Sequence, residues 1–211
     1  EVREDTPRRD LAVDDLRVLS LLAADTGAHI AGPDPDPFYV YTGGYGYTWF
    51  RDDSEIARYL LETDERLEIG LDAWFDKSAA FYMDTQLADG SWPHRVWAHN
   101  GNVAPGWAHA RLEAGDDVDY QADQTGSVAS FLAAYLRLGE PAAPNDIEAT
   151  LELALDGLDS TLEEDGLPIE CQNAWENMTG RFVHTAATFL QGYAAIARAP
   201  IDEDLRDRAR E

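Results

Sequence analysis

Three short polar segments of this 211-residue sequence carry side chains that could hold or protonate a ligand. In the first, Arg51 is followed by Asp52 and Asp53. An Arg–carboxylate pair donates and accepts hydrogen bonds with fixed geometry, so Arg51 and Asp52 together could hold vicinal hydroxyl groups. Either aspartate could instead cap the N-terminus of the helix that follows. The same two alternatives apply to Asp123, in the second segment at 120–125.

The third segment, residues 173–177, places Glu176 directly after Trp175 in a predicted loop. A carboxyl group packed against an indole loses solvation, and its pKa rises toward the range that a general acid needs at neutral pH. A simpler alternative is that Glu176 only complements the positive end of a helix dipole. The residue types therefore predict a pair that holds a ligand and one candidate proton donor.

Aromatic residues are concentrated in the long loops that contain these segments. Flat aromatic faces stack on the C–H faces of a sugar, and nearby Asp, Arg and Glu side chains bond its hydroxyl groups, so the loops predict the wall of a carbohydrate pocket. The alternative is that each tryptophan only anchors its loop. Five of the six tryptophans and five tyrosines lie in these loops: Trp49, Trp92, Trp97, Trp107, Trp175, Tyr39, Tyr41, Tyr45, Tyr47 and Tyr120.

Hydrophobic periodicity predicts an all-α protein with long loops between helices. The predicted helices are 9–24, 53–62, 65–86, 123–138, 145–162 and 183–198, with the start of another at 202–211. Short connections at 63–64 and 139–144 alternate with long loops at 25–52, 87–122 and 163–182. If alternate helices run parallel, all three long loops lead into helix N-termini at one end, where the polar segments would meet.

A weak internal repeat accompanies this pattern. Residues 87–93 (LADGSWP) and, 75 residues later, residues 162–168 (LEEDGLP) each follow an amphipathic helix and precede a polar aromatic loop. A more apolar helix follows each loop. Repeated helical hairpins of this kind are typical of a stacked or circular array.

Four motifs together resemble glycoside hydrolase family 15, which contains glucoamylases, glucodextranases and some trehalases. They are YTWFRD at 47–52, DGSW at 89–92, QADQT at 121–125 and WENMTGRF at 175–182, in the order and spacing of the N-terminal half of that family's catalytic domain. The resemblance covers roughly residues 10–200. It implies an (α/α)6 toroid and an inverting hydrolysis that releases glucose from the non-reducing ends of α-glucans or oligosaccharides.

The resemblance also implies roles for individual residues. Glu176 matches the general acid that protonates the glycosidic oxygen, and Arg51 and Asp52 match the pair that holds the innermost glucose. The other substrate-binding residues that it implies are Trp49, Trp92, Asp123 and Trp175. Two positions depart from the family pattern: Asn177, where many members carry a second acid after the general acid, and Asn173, where many carry Asp.

Length is the larger departure from the family. An inverting enzyme needs a second carboxylate as base, about 6.5–9.5 Å from the acid. A ring of twelve helices needs about 350 to 400 residues, so we expect residues 1–211 to form a single partial domain, the N-terminal half of the ring, with the base outside it. Asp52 or Asp53 could replace that base only by giving up a capping or sugar-binding role.

The charge balance excludes some partners. With 41 acidic and 16 basic residues the net charge is −25, so the sequence has no basic stripe for nucleic acid and does not suit an anionic membrane surface. Lys77 is the single lysine. Such a composition is typical of halophilic proteins, because molar salt screens the repulsion between the acidic side chains. We therefore expect a protein of haloarchaeal type. The alternative is an acidic protein of ordinary habitat.

Cofactor and membrane signals are missing from the sequence. The single Cys171 excludes an intrachain disulfide, and no apolar run reaches the about 18–20 residues that cross a bilayer. The histidines show no helical metal-binding spacing, so we expect no metal and no cofactor. The sequence begins with Glu and shows no signal peptide. We expect a cytoplasmic location and a native N-terminus upstream.

Two other functions remain open from the sequence. One is a non-catalytic carbohydrate-binding half-toroid. The other is a toroidal sugar epimerase or isomerase whose acid and base are histidines, for which the candidates are His94, His99, His109 and His184. In either case a half ring would leave apolar helix faces open, so we expect self-association.

Overall fold

The computed structural model describes residues 2–33, 44–104 and 120–211. This part of the chain is mostly helical, as predicted for an all-α protein, with a few very short strands. The helices are α1 Arg9–Leu22, α2 Phe50–Leu67, α3 Asp72–Thr85, α4 Asp123–Leu138, α5 Pro144–Asp159, α6 Val183–Ile196 and α7 Glu203–Arg208. The strands are β1 Tyr47–Trp49, β2 Arg95–Trp97, β3 Cys171–Gln172 and β4 Thr179–Gly180.

The predicted joint at 63–64 is wrong, because α2 continues to Leu67. The chain turns directly after Leu67, at Glu68, which adopts a left-handed backbone conformation with φ 53°. The Asp64 carboxylate accepts hydrogen bonds from the backbone N–H groups of Gly70 and Leu71. This side chain therefore fixes the turn after the helix, and hydrophobic periodicity does not detect it.

Helices α2, α4 and α6 lie side by side and run parallel. Near their N-termini, the Arg51 guanidinium of α2 bonds the Asp123 carboxylate of α4. Further along, the Gln191 amide of α6 donates to Glu55 of α2 at 2.8 Å and to Ser130 of α4 at 3.1 Å. Because these contacts occur in the same order along all three helices, the N-termini of α2, α4 and α6 lie at the same end of the helix layer. The loops that precede the three helices therefore lead to that end.

Glycine allows α4 and α6 to pack backbone against backbone. A Cβ at Gly126 would lie 2.5 Å from the carbonyl oxygen of Thr188, and one at Gly192 would lie 3.1 Å from the Cα of Gly126. Helix α4 is the centre of the fold, since all of its residues from Asp123 to Tyr135 are buried. Helices α3 and α5 complete the main core with large apolar side chains, among them Phe75, Tyr82, Ile147, Leu151 and Leu155.

Two short antiparallel strand pairs position the loops above these helices. In the first, β1 pairs with β2 so that Trp49 is opposite Arg95 and Tyr47 is opposite Trp97. In the second, β3 and β4 form a hairpin, and its turn spans residues 173–178. The backbone N–H of Gln172 donates to the carbonyl of Tyr120 at 2.8 Å, which ties this hairpin to the segment before α4.

A buried polar network fixes the loop before β1 to α2 and α3. The Asp53 carboxylate accepts from the His29 ring at 2.5 Å and from the His29 backbone N–H at 3.2 Å. The Trp74 indole donates to Nε2 of the same ring at 2.8 Å. Because an indole N–H only donates, Nε2 is the acceptor and Nδ1 carries the proton that bonds Asp53. Burial raises the pKa of Asp53, and the His29 hydrogen bond partly opposes that rise.

We expect Asp53→Ala to lower the free energy of unfolding by about 3 kcal/mol, because it leaves two buried His29 donors without an acceptor. Urea denaturation followed by circular dichroism measures the change. The matched control is Asp52→Ala, since the Asp52 side chain is half exposed and bonds the neighbouring Arg51; it should cost less than about 1 kcal/mol. Equal costs for the two variants would contradict a structural role for the His29 network.

Candidate active site

The N-termini of α2, α4 and α6 bring together one ionic cluster. The Arg51 guanidinium donates to Asp123 at 3.0 Å, to Gln121 at 2.9 Å and to Asp52 at 3.1 Å. His184, in the first turn of α6, lies 3.0 Å from the same Asp123 oxygen. The first turns of three helices that are far apart in the sequence therefore meet at the Arg51–Asp123 pair. The alternation of loop lengths predicts such a meeting of helix N-termini.

The charges in this cluster stabilise one another. Burial alone would raise the pKa of Asp123, but the His184 hydrogen bond and the Arg51 charge hold it below its ordinary value. The same hydrogen bond raises the pKa of His184. Burial would lower the pKa of Arg51, and the charges of Asp123 and Asp52 more than offset this. Asp123 is therefore ionised at neutral pH and orients Arg51 from behind.

The capping interpretation of the aspartates is wrong. The N-cap residues of α2 and α4 are Trp49 and Ala122, and neither helix has a side-chain cap. Asp52, Asp53 and Asp123 instead lie in the first helical turn, where a negative charge is favourable next to the helix dipole. Their carboxylates are consequently available for the contacts with Arg51 and His29.

The turn between β3 and β4 presents Glu176 to the cluster, and two asparagines hold this turn. The Asn173 side chain accepts from the backbone N–H groups of Asn177 at 3.1 Å and Met178 at 3.3 Å. Its amide donates to the Asn177 side chain at 2.9 Å. Asn173 and Asn177, the two positions at which the sequence departs from the pattern of the family it resembles, therefore bond each other. At the tip, Glu176 has a left-handed backbone conformation with φ 59°.

Three donors surround the Glu176 carboxylate. The Trp49 indole lies 2.8 Å from Oε1, His94 Nε2 lies 3.1 Å from the same oxygen, and the Arg95 guanidinium lies 3.2 Å from Oε2. Burial would raise the pKa of Glu176. The hydrogen bond and charge of His94, the charge of Arg95 and the hydrogen bond from Trp49 together hold that pKa below its ordinary value.

The expected rise in the pKa of Glu176 is therefore wrong in direction. It assumed that the Trp175 indole covers the carboxyl group, but Trp175 is 84% exposed to solvent. The indole that contacts Glu176 belongs to Trp49, and it offers a hydrogen-bond donor. An apolar face disfavours the charged carboxylate, whereas a donor stabilises it.

Two cavities open beside these residues. The first, of about 240 Å³, is lined by Ala31, Tyr45, Trp49, Arg51, Asp52, Ala174, Trp175 and Glu176. The second, of about 490 Å³, is lined by Arg51, Asp52, Asn173, Ala174, Trp175, Phe182, His184 and Thr185. Arg51, Asp52 and Trp175 line both. A polar wall facing an exposed indole is the arrangement expected of a site for a hydroxyl-rich ligand.

The structure places two of the predicted site residues away from the cavity surface. Trp92 is fully buried in the core, and its indole donates to the backbone carbonyl of Tyr82 at 2.9 Å. It cannot contact a ligand from there, so its predicted role in substrate binding is corrected to a structural one. Asp123 is also buried, but it bonds Arg51 and so lies one layer behind the cavity wall.

Sequence reasoning missed Arg95 and did not connect His94 with Glu176. Both side chains are 1% exposed. A buried arginine needs a buried partner, so an arginine among apolar residues of a short strand was the signal that could have found it. Among the other histidines, His184 bonds Asp123 and His99 is exposed. Trp107, His109, Tyr39 and Tyr41 lie outside the described residues.

The described residues contain neither a metal-binding cluster nor a membrane-spanning helix. In residues 2–33, 44–104 and 120–211, no group of three or more His, Cys, Asp or Glu side chains is arranged to hold a metal ion. Across the same residues, none of the helices combines the length and the apolar character that a membrane span requires.

Comparisons with known proteins give a fold and no sequence family. No family model and no curated protein matches the sequence. A glycosidase variant solved in complex with glucose is similar over 94% of this chain and 50% of its own, with 20% identity and a TM-score of 0.57. A candidate glucoamylase from Bacteroides caccae is similar over 91% of this chain and 48% of its own, with 13% identity and a TM-score of 0.57.

A third similar structure is a family 105 glycoside hydrolase from C. acetobutylicum, aligned over 96% of this chain and 54% of its own, with 11% identity and a TM-score of 0.60. The chain therefore spans about half the length of the solved structures that it matches. Over that half, it has the fold of these glycoside hydrolase structures.

Proposed function

We propose that this chain carries part of the active site of an inverting glycoside hydrolase that releases glucose from α-glucans or oligosaccharides, like a glucoamylase. The observation that carries the proposal is the shared cavity wall, in which the Glu176 carboxylate, the Arg51–Asp52 pair and the Trp175 indole face one space. The resemblance to glycoside hydrolase family 15 and the fold shared with glycoside hydrolase structures support it.

In the proposed site each side chain has one task. Arg51 and Asp52 bond vicinal hydroxyl groups of the terminal glucose, and Trp175 stacks on a C–H face of the sugar. Glu176 transfers its proton to the glycosidic oxygen as the bond to the anomeric carbon breaks. Water attacks that carbon from the opposite face and gives its proton to a base.

We further propose that the base lies outside these 211 residues, in the second half of an (α/α)6 toroid of which this chain forms the first half. The half-length match to the solved structures supports this arrangement. Asp52, half exposed in the cavity wall, is the candidate base within the chain, but it bonds Arg51 and would lose its proposed contact with the sugar.

The proposal is tested by the anomer of the first product. With maltose and the gene product that contains this chain, ¹H NMR of early time points should show more β-glucose than the reducing-end residue of maltose supplies, because single displacement inverts the α-linked carbon of the other residue. An early excess of α-glucose over that supply would replace the inverting mechanism by a retaining one. No release of glucose from maltose or longer α-glucans would overturn the proposed activity.

A second candidate is a carbohydrate-binding module without catalysis. The three donors that stabilise ionised Glu176 favour it, because a carboxylate accepts hydroxyl hydrogen bonds well but has no proton to give. Titration of the 211-residue chain with malto-oligosaccharides by calorimetry tests the binding that both candidates require. Binding without release of glucose by the gene product that contains this chain supports the module, and turnover by this chain alone would overturn both the module and the proposed position of the base.

Self-association remains a proposal supported by exposed apolar side chains. Helix α6 exposes Val183 and Leu190, at 88% and 70%, and the turn between β3 and β4 exposes Trp175 and Met178. Each of these apolar side chains would gain stability if another surface covered it. Further helices of the proposed toroid or a second copy of the chain would provide such a surface.

A further inference from the structure

The segment that leads into β2 carries two polar side chains with almost no exposure to solvent. His94 and Arg95 are each 1% exposed. A buried guanidinium beside a buried imidazole is costly unless both groups find hydrogen-bond partners. Their shared partner is the carboxylate of Glu176, which lies more than 80 residues further along the chain.

The contact with the carboxylate fixes which ring nitrogen of His94 donates. Nε2 of His94 is 3.1 Å from Oε1 of Glu176. Because an ionised carboxylate only accepts, Nε2 must carry the proton of this hydrogen bond. The Arg95 guanidinium lies against the same ring, 2.8 Å from Nδ1 and 3.1 Å from Nε2, and it donates to Oε2 of Glu176 directly.

Strand pairing supplies the rigidity of this arrangement. Trp49 of β1 is directly opposite Arg95 of β2, so both side chains project from the same face of the pair. Both reach Glu176, one at each carboxylate oxygen. The left-handed backbone of Glu176 is unfavourable for a residue with a Cβ, so these external contacts help the tip to keep its conformation.

We propose that His94 and Arg95 are positioning residues that clamp the Glu176 carboxylate in one orientation and thereby set the pH range in which it can act. The inference rests on the proposed role of Glu176 as general acid. Loss of the His94 donor removes a hydrogen bond to the charged form, so protonation of Glu176 becomes easier. The other charged groups at the cavity are Arg51 and Asp52, and both stay in place in such a variant.

The experiment compares His94→Phe, which removes the donor, with His94→Gln, whose amide can replace it, and with His99→Phe as the exposed control. Carbon-13 labelling of the glutamate carboxyl groups in the 211-residue chain, with the Glu176 signal assigned by its loss in Glu176→Gln, gives its titration by NMR. We expect the pKa of Glu176 to rise by about 1 in His94→Phe and to stay near the wild-type value in the other two variants.

Activity gives a second readout in the gene product that contains this chain. The alkaline limb of kcat/KM should move to higher pH in His94→Phe, whereas His94→Gln should restore the wild-type profile. An unchanged pKa of Glu176 in a folded His94→Phe variant overturns the proposal. If wild-type protein has no glycosidase activity but the pKa rises as expected, the clamp stands and the proposed function fails.

A measurement on the wild-type chain keeps the proposal falsifiable if His94→Phe does not fold. Imidazole ¹⁵N chemical shifts distinguish the tautomers of His94 without any substitution. We expect a proton on Nε2. An unprotonated Nε2 in the folded chain at neutral pH overturns the clamp, because His94 could then not donate to Glu176.

Discussion

Glu176→Gln is expected to reduce kcat for glucose release from maltose by about 10²–10⁴-fold, the usual contribution of a positioned general acid. Glutamine has nearly the same shape, and its oxygen still accepts from Trp49 and His94, whereas its amide nitrogen cannot accept from Arg95. We expect KM to change less than kcat. What is lost is the proton that the leaving oxygen needs. The measurement is a coupled glucose assay on the gene product that contains this chain.

The control for this variant is Glu170→Gln, which neutralises an exposed carboxylate on the loop before β3. It should keep wild-type kcat, since that side chain lines neither cavity. If Glu176→Gln also kept wild-type kcat, Glu176 would not be the acid, and the carbohydrate-binding module would become the better description of this site.

The pH dependence of the proposed reaction follows from the same carboxyl group. Glu176 has a pKa below its ordinary value in the folded protein, so its protonated form is lost as the pH rises through that lowered value. A reaction that needs the proton therefore declines toward neutrality. We expect kcat/KM to fall as the pH rises, with the midpoint of this fall on the acidic side of neutrality. In Glu176→Gln this fall should disappear.

Gly126→Ala is expected to lower the free energy of unfolding by about 3 kcal/mol, near the upper end of overpacking costs. The new Cβ would lie 2.5 Å from the carbonyl oxygen of Thr188, which is part of the α6 backbone and cannot rotate away. Helices α4 and α6 would have to separate. Because Gly126 is one turn after Asp123, the separation should also weaken the contact between Asp123 and His184.

Urea denaturation of the 211-residue chain measures this loss. The matched control is Gly46→Ala, because a Cβ at Gly46 would meet none of the described residues within 4 Å. It should leave the denaturation midpoint nearly unchanged. A similar midpoint for Gly126→Ala and wild type would contradict the close packing of α4 on α6.

The helices could largely be predicted from the sequence because their apolar residues recur with helical spacing. Helix α4 has its predicted bounds, and α6 ends two residues earlier than predicted. The turn at Glu68–Leu71 could not be predicted, because it depends on the Asp64 side chain bonding two backbone N–H groups that follow the helix. Such a contact leaves no trace in the hydrophobic pattern.

The candidate site could be predicted in part, because most of its residues stand at helix starts or in loops that the pattern reveals. Arg51, Asp52 and Glu176 do line one cavity, with Trp49 and Trp175. The position of Trp92 could not be predicted. The backbone of Gly90 packs so closely on α5 that a Cβ there would lie 1.8 Å from the carbonyl of Leu153, and the indole that follows enters the core.

The electrostatics of Glu176 depended on information that only the tertiary structure contains. The sequence places Trp175 beside it, but adjacent residues need not face each other, and Trp175 turns to solvent. Its actual partners, Trp49, His94 and Arg95, come from two other loops. The direction of a pKa shift depends on these partners, so sequence proximity predicted the wrong sign.

The long reach of these contacts bears on when the site forms during folding. Trp49 and Glu176 are 127 residues apart in sequence, and Arg95 and Glu176 are 81 apart. Closing such loops costs more chain entropy than forming a local hairpin, so contacts of high sequence separation form late. A partly folded chain could therefore contain every helix while its carboxylate still titrates as it does in an unstructured peptide. During refolding, the ability to bind a ligand should return after the helical signal does.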